Sequence, residues 1–339
     1  MIGAPVPPAE IAHVGDVPAV VGEVGEVGVF DVFDVFDVFA PPPHAASIAV
    51  RKASTVRAEI THCATAGDGV SSVRTQPETP MNRTIRAAIA AATVALAWQL
   101  AAQGAPPATG KDVIARMRSQ YAGQWFKTLT FRQTTTIAQR NGTDTVQTWY
   151  ETLRVTPEHG AELRIDVAPL SNGNATISRW DSTWVLRADT LSTIRATGNP
   201  FVALIAGAYD QAVERTVAQL APLGVDLTKL RSAQWKEYAV WIVGSTDPAD
   251  TASAQFWVEE KHLMVVRVIL AGSANRPPTD VHLDAIRPCG KGWLATRVEM
   301  FSGGRRRQLE EYHDWKCDGP VDALLFNPGA GKSATHWAR

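Results

Sequence analysis

The spacing of apolar and polar positions changes period several times along this chain, and each change marks an element. Over 110–123 the sequence reads GKDVIARMRSQYAG. Val113, Ile114, Met117 and Tyr121 recur at helical spacing and Thr109 stands where an N-cap belongs, so an amphipathic helix is predicted. From 126 the period drops to two. Leu129, Phe131, Gln133, Thr135 and Ile137 share one face of a first strand. After the tight-turn pair Asn141-Gly142, Trp149, Leu153 and Val155 share a face of a second. Leu163, Ile165 and Val167 alternate in a third, and two short strands follow near 177–180 and 183–188. The middle of the chain is helical. Gly198-Asn199-Pro200 opens FVALIAGAYD, and QAVERTVAQLAPLG continues with Val213, Val217 and Leu220 along one side. Strands return at 234–244, 252–259, 263–271, 280–287, 293–301 and 307–315.

Short strands joined by hairpin turns pair antiparallel. Alternation leaves one sheet face apolar, and the two helical segments are the available covers. The predicted fold class is α+β, mainly antiparallel β: an unclosed half-barrel of about eleven strands, with helices over its concave apolar face. On this pairing Leu129, Phe131, Trp149, Leu153, Trp184, Leu186, Phe201, Leu204, Ile205, Phe256 and Val258 face one interior. A sheet that wide encloses more volume than two short helices fill, which predicts an apolar ligand cavity.

The chain ahead of this domain is of another kind. Residues 81–104 combine a basic MNRTIR, an apolar Ala-rich run and a small-residue exit, the layout of a secretory signal peptide. The apolar run is short for a membrane span and contains Gln99; a retained tether is the alternative. Residues 1–80 carry triplet repeats, VGEVGEVGVFDVFDVFDVF, between Pro-rich pieces that cannot build a core. They are expected to be either a disordered extension or upstream sequence ahead of a start at Met81. The expected organisation is therefore an extension over 1–80, a signal peptide over 81–104 and one domain over 105–339, placed in the periplasm.

Composition narrows the function. Net charge is −1 over 339 residues, which gives no bulk electrostatic case for nucleic acid or anionic membrane. Arg305–Arg306–Arg307 follows Gly303-Gly304 and reads as a solvated hairpin tip. Cys289 and Cys317 end strands two apart, so two chain reversals bring them to one edge; a disulfide is predicted, with two buried free thiols as the alternative. No His pair has metal-ligand spacing, no Ser sits in a nucleophile elbow, and GKS at 331–333 lacks the preceding glycine of a phosphate loop. Neighbouring acids such as Glu259-Glu260 and Glu310-Glu311 are expected in solvent. No catalytic residue, metal or cofactor is predicted, and the chain is not expected to be an enzyme. An inward carboxylate with a strongly shifted pKa would argue otherwise.

Several stretches are similar to the LolA-type family of periplasmic lipoprotein carriers and its LolB and RseB-type relatives. They are Leu129-Thr130-Phe131-Arg132-Gln133, then Trp180-Asp181-Ser182-Thr183-Trp184-Val185-Leu186, Gly198-Asn199-Pro200-Phe201-Val202-Ala203-Leu204-Ile205, and the paired strands around Tyr238–Gly244 and Gln255–Glu260. The resemblance spans about 109–328. It implies a monomeric periplasmic carrier that holds the acyl chains of a lipoprotein or lipid, passes them toward the outer membrane, and meets an inner- or outer-membrane transfer partner. It also implies a basic lid gate beside the proline that ends the second strand. Thr156 precedes Pro157 here, so Arg154 takes that role on this reading. An RseB-like sensor docking on a membrane partner is the alternative, although only a short tail follows Pro320.

Overall fold

The computed structural model describes residues 105–139 and 141–339. The readings of 1–80 and 81–104 concern residues outside this range. Thr109 caps α1 (Gly110–Tyr121) through a reciprocal pair with Asp112, each side chain accepting the other's backbone N–H. Val113, Ile114 and Met117 are fully buried along its inner face. Gly110 lets the start of α1 press onto Val243, where a Cβ would collide.

Thirteen antiparallel strands form one sheet that does not close. The first six are β1 (Thr128–Ala138), β2 (Asp144–Thr156), β3 (Gly160–Val167), β4 (Ala175–Ser178), β5 (Thr183–Arg187) and β6 (Thr190–Arg195). Then come α2 (Pro200–Ile205), a 3₁₀ turn at Gly207–Tyr209 and α3 (Val213–Leu220). The return half is β7 (Leu230–Trp235), β8 (Tyr238–Val243), β9 (Gln255–Glu259), β10 (Val265–Leu270), β11 (Thr279–Cys289), β12 (Gly292–Ser302) and β13 (Arg305–Cys317). The spatial order is β6-β5-β4-β3-β2-β1-β13-β12-β11-β10-β9-β8-β7. Two meanders therefore meet at β1 and β13, with β6 and β7 left as edges. The helical segment crosses from one edge to the other over the concave face, as a half-barrel requires.

The two additional strands have local causes. β6 is an edge whose residues are mostly exposed, so it carries no apolar alternation to read. Its turn uses Ala188 and Asp189, both at positive φ, without the glycine that normally signals such a turn. The segment expected as one strand over 234–244 is a hairpin, β7–β8, which reverses at Lys236 (φ 51°). Gly303 and Gly304 make the β12–β13 turn at φ 58° and 73°, and the three arginines after it are exposed, as expected of a hairpin tip.

Cys289 ends β11, Cys317 ends β13, and the two are disulfide-bonded with Cα atoms 5.7 Å apart. Closing a loop over 28 positions stabilises the chain by roughly 3–4 kcal/mol in the loop-entropy account.

Both sheet faces bury apolar residues. On the concave face α1, α2 and the 3₁₀ turn meet the main core. On the convex face the C-terminal tail straps across β2–β5: Leu325, Phe326 and Ala334 bury against Ala175, Ile177 and Leu186. Trp184 and Leu186 therefore face the convex side, not the concave interior expected for them. β5 is apolar on successive positions, Trp184-Val185-Leu186, so its pattern does not say which face turns inward. Pairing decides it. Trp184 opposes Ile177 and Leu186 opposes Ala175, and both partners lie under the tail.

Candidate functional site

The concave face is not filled evenly. Beneath α1, Trp125 stacks on Tyr209 with ring centroids 3.7 Å apart, and Tyr121 packs edge-on to both. Phe256 and Val258 are fully buried in the same core. Beneath α2, however, a cavity of about 110 Å³ remains between the helix and strands β1–β3 and β10–β13. At roughly 10–15 Å³ for each water-sized group, it admits on the order of ten such groups.

Five of the expected lining residues meet in this cavity: Leu129, Trp149, Leu153, Phe201 and Ile205. Asn199 caps α2 by accepting from the backbone N–H of Phe201 at 3.1 Å, which holds Phe201 over the opening. Four others are packed core and not cavity wall: Phe131, Leu204, Phe256 and Val258. Phe131 is occupied by its stack on Tyr312, 4.1 Å away. Leu204 is fully buried among α2's neighbours, so a charge placed there would attack the fold rather than ligand retention.

Arg154 is not a lid gate. It alternates with Leu153 onto the convex face, where it donates to Glu162 at 2.6 Å and lies over the Phe326 ring. The basic residue that ties the helical cover to the Pro157 corner comes from the cover itself. Arg215 of α3 donates to the backbone oxygens of Pro157 and Glu158 at 2.6 and 2.7 Å. Lys127, paired with Asp210 at 2.6 Å, anchors the other end of the α2–α3 link.

The finding that sequence reading missed is acidic. Glu151 and Glu310 both line the cavity, each 6% exposed. Glu310 is not the solvated member of a surface pair. It faces inward while its neighbour Glu311 turns outward and pairs with Arg297. Glu310 accepts from Gln308 Nε2 at 2.5 Å and from the Tyr312 hydroxyl at 3.0 Å. Glu151 has no hydrogen bond or ion pair among the described residues. The register brings the acids together across β1: Glu151 opposes Phe131, Gln133 lies between Trp149 and Tyr312, and Glu310 opposes Thr135. Gln133 is fully buried and its Oε1 has no partner.

Burial dominates the protonation of this cluster. It raises Glu151 well above the ordinary carboxylate range, and the charge on Glu310 raises it further. Burial pushes Glu310 up to about 7, against the opposing hydrogen bonds of Tyr312, Gln308 and Gln133. Tyr312 is raised by burial and by both acids. No Lys, Arg or His lines the cavity, and neither does any Ser, Thr or Cys. The signal was present in the period-two reading. Glu151 sits between Trp149 and Leu153 on the apolar face, and Gln308, Glu310 and Tyr312 alternate along one face of β13.

Glu259 is also buried, and its carboxylate caps the following turn by accepting from the N–H groups of Lys261 and His262. No group of three or more His, Cys, Asp or Glu with metal-binding arrangement occurs among the described residues. Among them, too, no helix is long and apolar enough to cross a membrane.

No protein-family model matches this chain, and no curated protein matches it in sequence. Several solved structures are similar in fold. A DUF1329 family protein from Desulfovibrio piger is 13% identical, with 64% of this chain and 95% of that one covered at a TM-score of 0.44. An outer membrane lipoprotein-sorting protein domain from Vibrio parahaemolyticus is 11% identical, with 64% and 95% covered at 0.44. A LolA superfamily protein from Nitrosomonas europaea is 12% identical, with 65% and 98% covered at 0.40. At these scores the likeness leaves the function to this chain's own residues.

Proposed function

We propose that this protein is a periplasmic carrier that takes up the acyl part of a lipid or lipoprotein in the cavity beneath α2, on the way to the outer membrane. The observation that carries the reading is a largely apolar cavity in an unclosed sheet, under a cover held by a few polar ties. Each buried ligand methylene stabilises the complex by about 0.8 kcal/mol, so one chain suffices for useful affinity. The cavity as it stands takes only part of a long acyl chain. Loading the rest requires the α2–α3 cover to lift, and the Arg215 and Lys127 ties set how readily it does so. A monomer that meets a membrane partner at loading and release fits this cycle.

Native mass spectrometry of the purified chain tests the reading directly: co-purified acyl lipid is expected. Ala295 lines the cavity and is small and buried, so Ala295→Phe fills it. That variant should lose the lipid while staying folded. Equal lipid occupancy in parent and variant would place the ligand elsewhere.

The two inward acids favour one further reading, acid–base catalysis on an apolar substrate. A turnover assay with acyl esters and amides separates the two. Product formation that Glu310→Gln abolishes would replace the carrier reading with an enzymatic one.

A further inference from the structure

The acids have no purpose in a cavity that holds only hydrocarbon. A buried carboxyl without a partner is costly, and this protein elsewhere supplies partners. Glu162 receives two guanidinium groups, Arg154 and Arg179. Asp166 receives Arg164 through two bonds of 2.7 Å. Glu151 has no such partner, although it is as buried as Glu310 and shares the cavity wall with it. The unpartnered Oε1 of Gln133 stands beside them in the register. Of these groups Glu151 both lines the cavity and lacks a hydrogen bond among the described residues, so it is the one a ligand's donor can reach. No Lys, Arg or His lines the cavity, so an acid that loses its proton there has no cation of this chain beside it.

We infer that the polar end of this cavity selects long-chain molecules bearing a protonated amine, held by Glu151 and Glu310, and rejects those bearing an anionic head. The inference rests on the apolar-cavity reading above and narrows its ligand class. An ammonium group brings three donors and no acceptor, which matches a cluster rich in acceptors. It also neutralises the charge that the two acids cannot both carry in a dry site. On binding, the amine keeps its proton and the carboxyls give theirs to solvent, so uptake releases protons. An alcohol offers one donor and gains one bond. A carboxylate or phosphate would add negative charge beside two acids.

The test uses the full chain and three probes of equal length, dodecylamine, dodecanol and dodecanoate, each kept below its aggregation limit. Each displaces the neutral dye N-phenyl-1-naphthylamine at about pH 8, where dodecanoate is charged and the amine remains protonated. Dodecylamine should displace the dye at a concentration about ten-fold or more below dodecanol, the usual worth of a charge-assisted hydrogen bond, with dodecanoate weakest. In Glu151→Gln/Glu310→Gln the advantage of dodecylamine over dodecanol should vanish. Glu151→Gln alone breaks no hydrogen bond of the parent and should lose at least about half of that advantage on a logarithmic scale. Thermal melts confirm that each variant is folded. Dodecanoate binding as tightly as dodecylamine, or an amine advantage that survives in the variants, overturns the inference while leaving the cavity reading intact. Failure of the dye and all three probes to bind overturns both.

Discussion

The sheet buries acids on both of its faces, and the two sets are built in opposite ways. On the convex face Glu162 and Asp166 are locked. Two arginines hold the first, while Arg164 and His336 hold the second under the C-terminal strap. Arg164 also donates to the backbone oxygen of Leu325 at 2.8 Å, so the same guanidinium fastens the strap. On the concave face Glu151 and Glu310 lie in a cavity without any basic group. The protonation follows the partners. Burial pushes Asp166 up, but the hydrogen bonds from Arg164 and His336 outweigh it and hold it below its ordinary value. Burial of Glu151 and Glu310 meets no such opposition from a cation and raises both. A fold that gives each convex acid a cation gives neither concave acid one, and leaves Glu151 without a hydrogen bond among the described residues. That difference supports the proposal that the concave pair meets a ligand while the convex set holds the fold together.

The convex set should break hardest. Arg164→Leu leaves Asp166 buried with only His336, and it frees the Leu325 carbonyl. Removing one member of a buried ion pair typically costs about 3–5 kcal/mol, so urea unfolding should show a loss of that order. Under conditions where the variant is still folded, dye binding in the cavity should be unchanged. A loss below about 1 kcal/mol would mean that His336 serves Asp166 unaided and that the strap is weakly held.

The two faces should also respond to pH with opposite signs. A carboxyl whose pKa is raised by folding keeps a proton that the unfolded chain releases. Its contribution is fully present below the ordinary value of 4.5 and is lost as pH rises through the folded value, about 7 for Glu310. Asp166 behaves in reverse: its contribution is present above 3.8 and is lost as pH falls through its lowered folded value. Stability measured by urea unfolding should therefore decline by roughly 2–3 kcal/mol between about pH 5 and pH 8 through Glu310 alone, and further through Glu151. Glu151→Gln/Glu310→Gln should flatten that decline and leave the acid limb as it is. A parent profile that is flat over the same window would show the pair to be solvated in the folded protein.

How much of this was legible follows the same division of faces. The half-barrel, the first helix, the helical cover and the disulfide come from patterns that sequence displays openly: period, cap and turn residues, and two cysteines ending strands two apart. The convex face was hidden because β3 reads polar at Glu162, Arg164 and Asp166, which looks like solvent. Only the tail, too short and irregular to place by periodicity, turns that face inward. The same strap is what turns Trp184 and Leu186 to the convex side. Pro157 draws attention to Arg154 as a lid residue, whereas its place one step from Leu153 puts it on the opposite face. On the concave side the acids were legible and passed over. Glu151 and Glu310 alternate in phase with Trp149, Leu153 and Tyr312, and reading them as solvated neglected the face they share. Which inward residues form cavity wall and which form filled core was beyond any pattern. It depends on where α1 and α2 sit, and Phe131, Leu204, Phe256 and Val258 went to the core.

The smallest effect concerns how the strap and the cavity communicate, because Trp337 touches the strand that carries Glu151. Its Nε1 donates to Thr152 Oγ1 at 2.8 Å, one position along β2 and on the opposite face. Thr152 is fully buried, so Trp337→Phe keeps most of the apolar contact but leaves the hydroxyl without this donor. The expected loss is about 1 kcal/mol, the net worth of one such hydrogen bond. The side chains of Thr152 and Glu151 leave the strand in opposite directions, and the tight pairing of β2 to β1 and β3 fixes the backbone between them. The variant should therefore lose stability without changing the ratio of dodecylamine to dodecanol affinity. A shift in that ratio would show that the strap positions the concave acid through the strand, and the two faces would then be one coupled device instead of a structural side and a binding side.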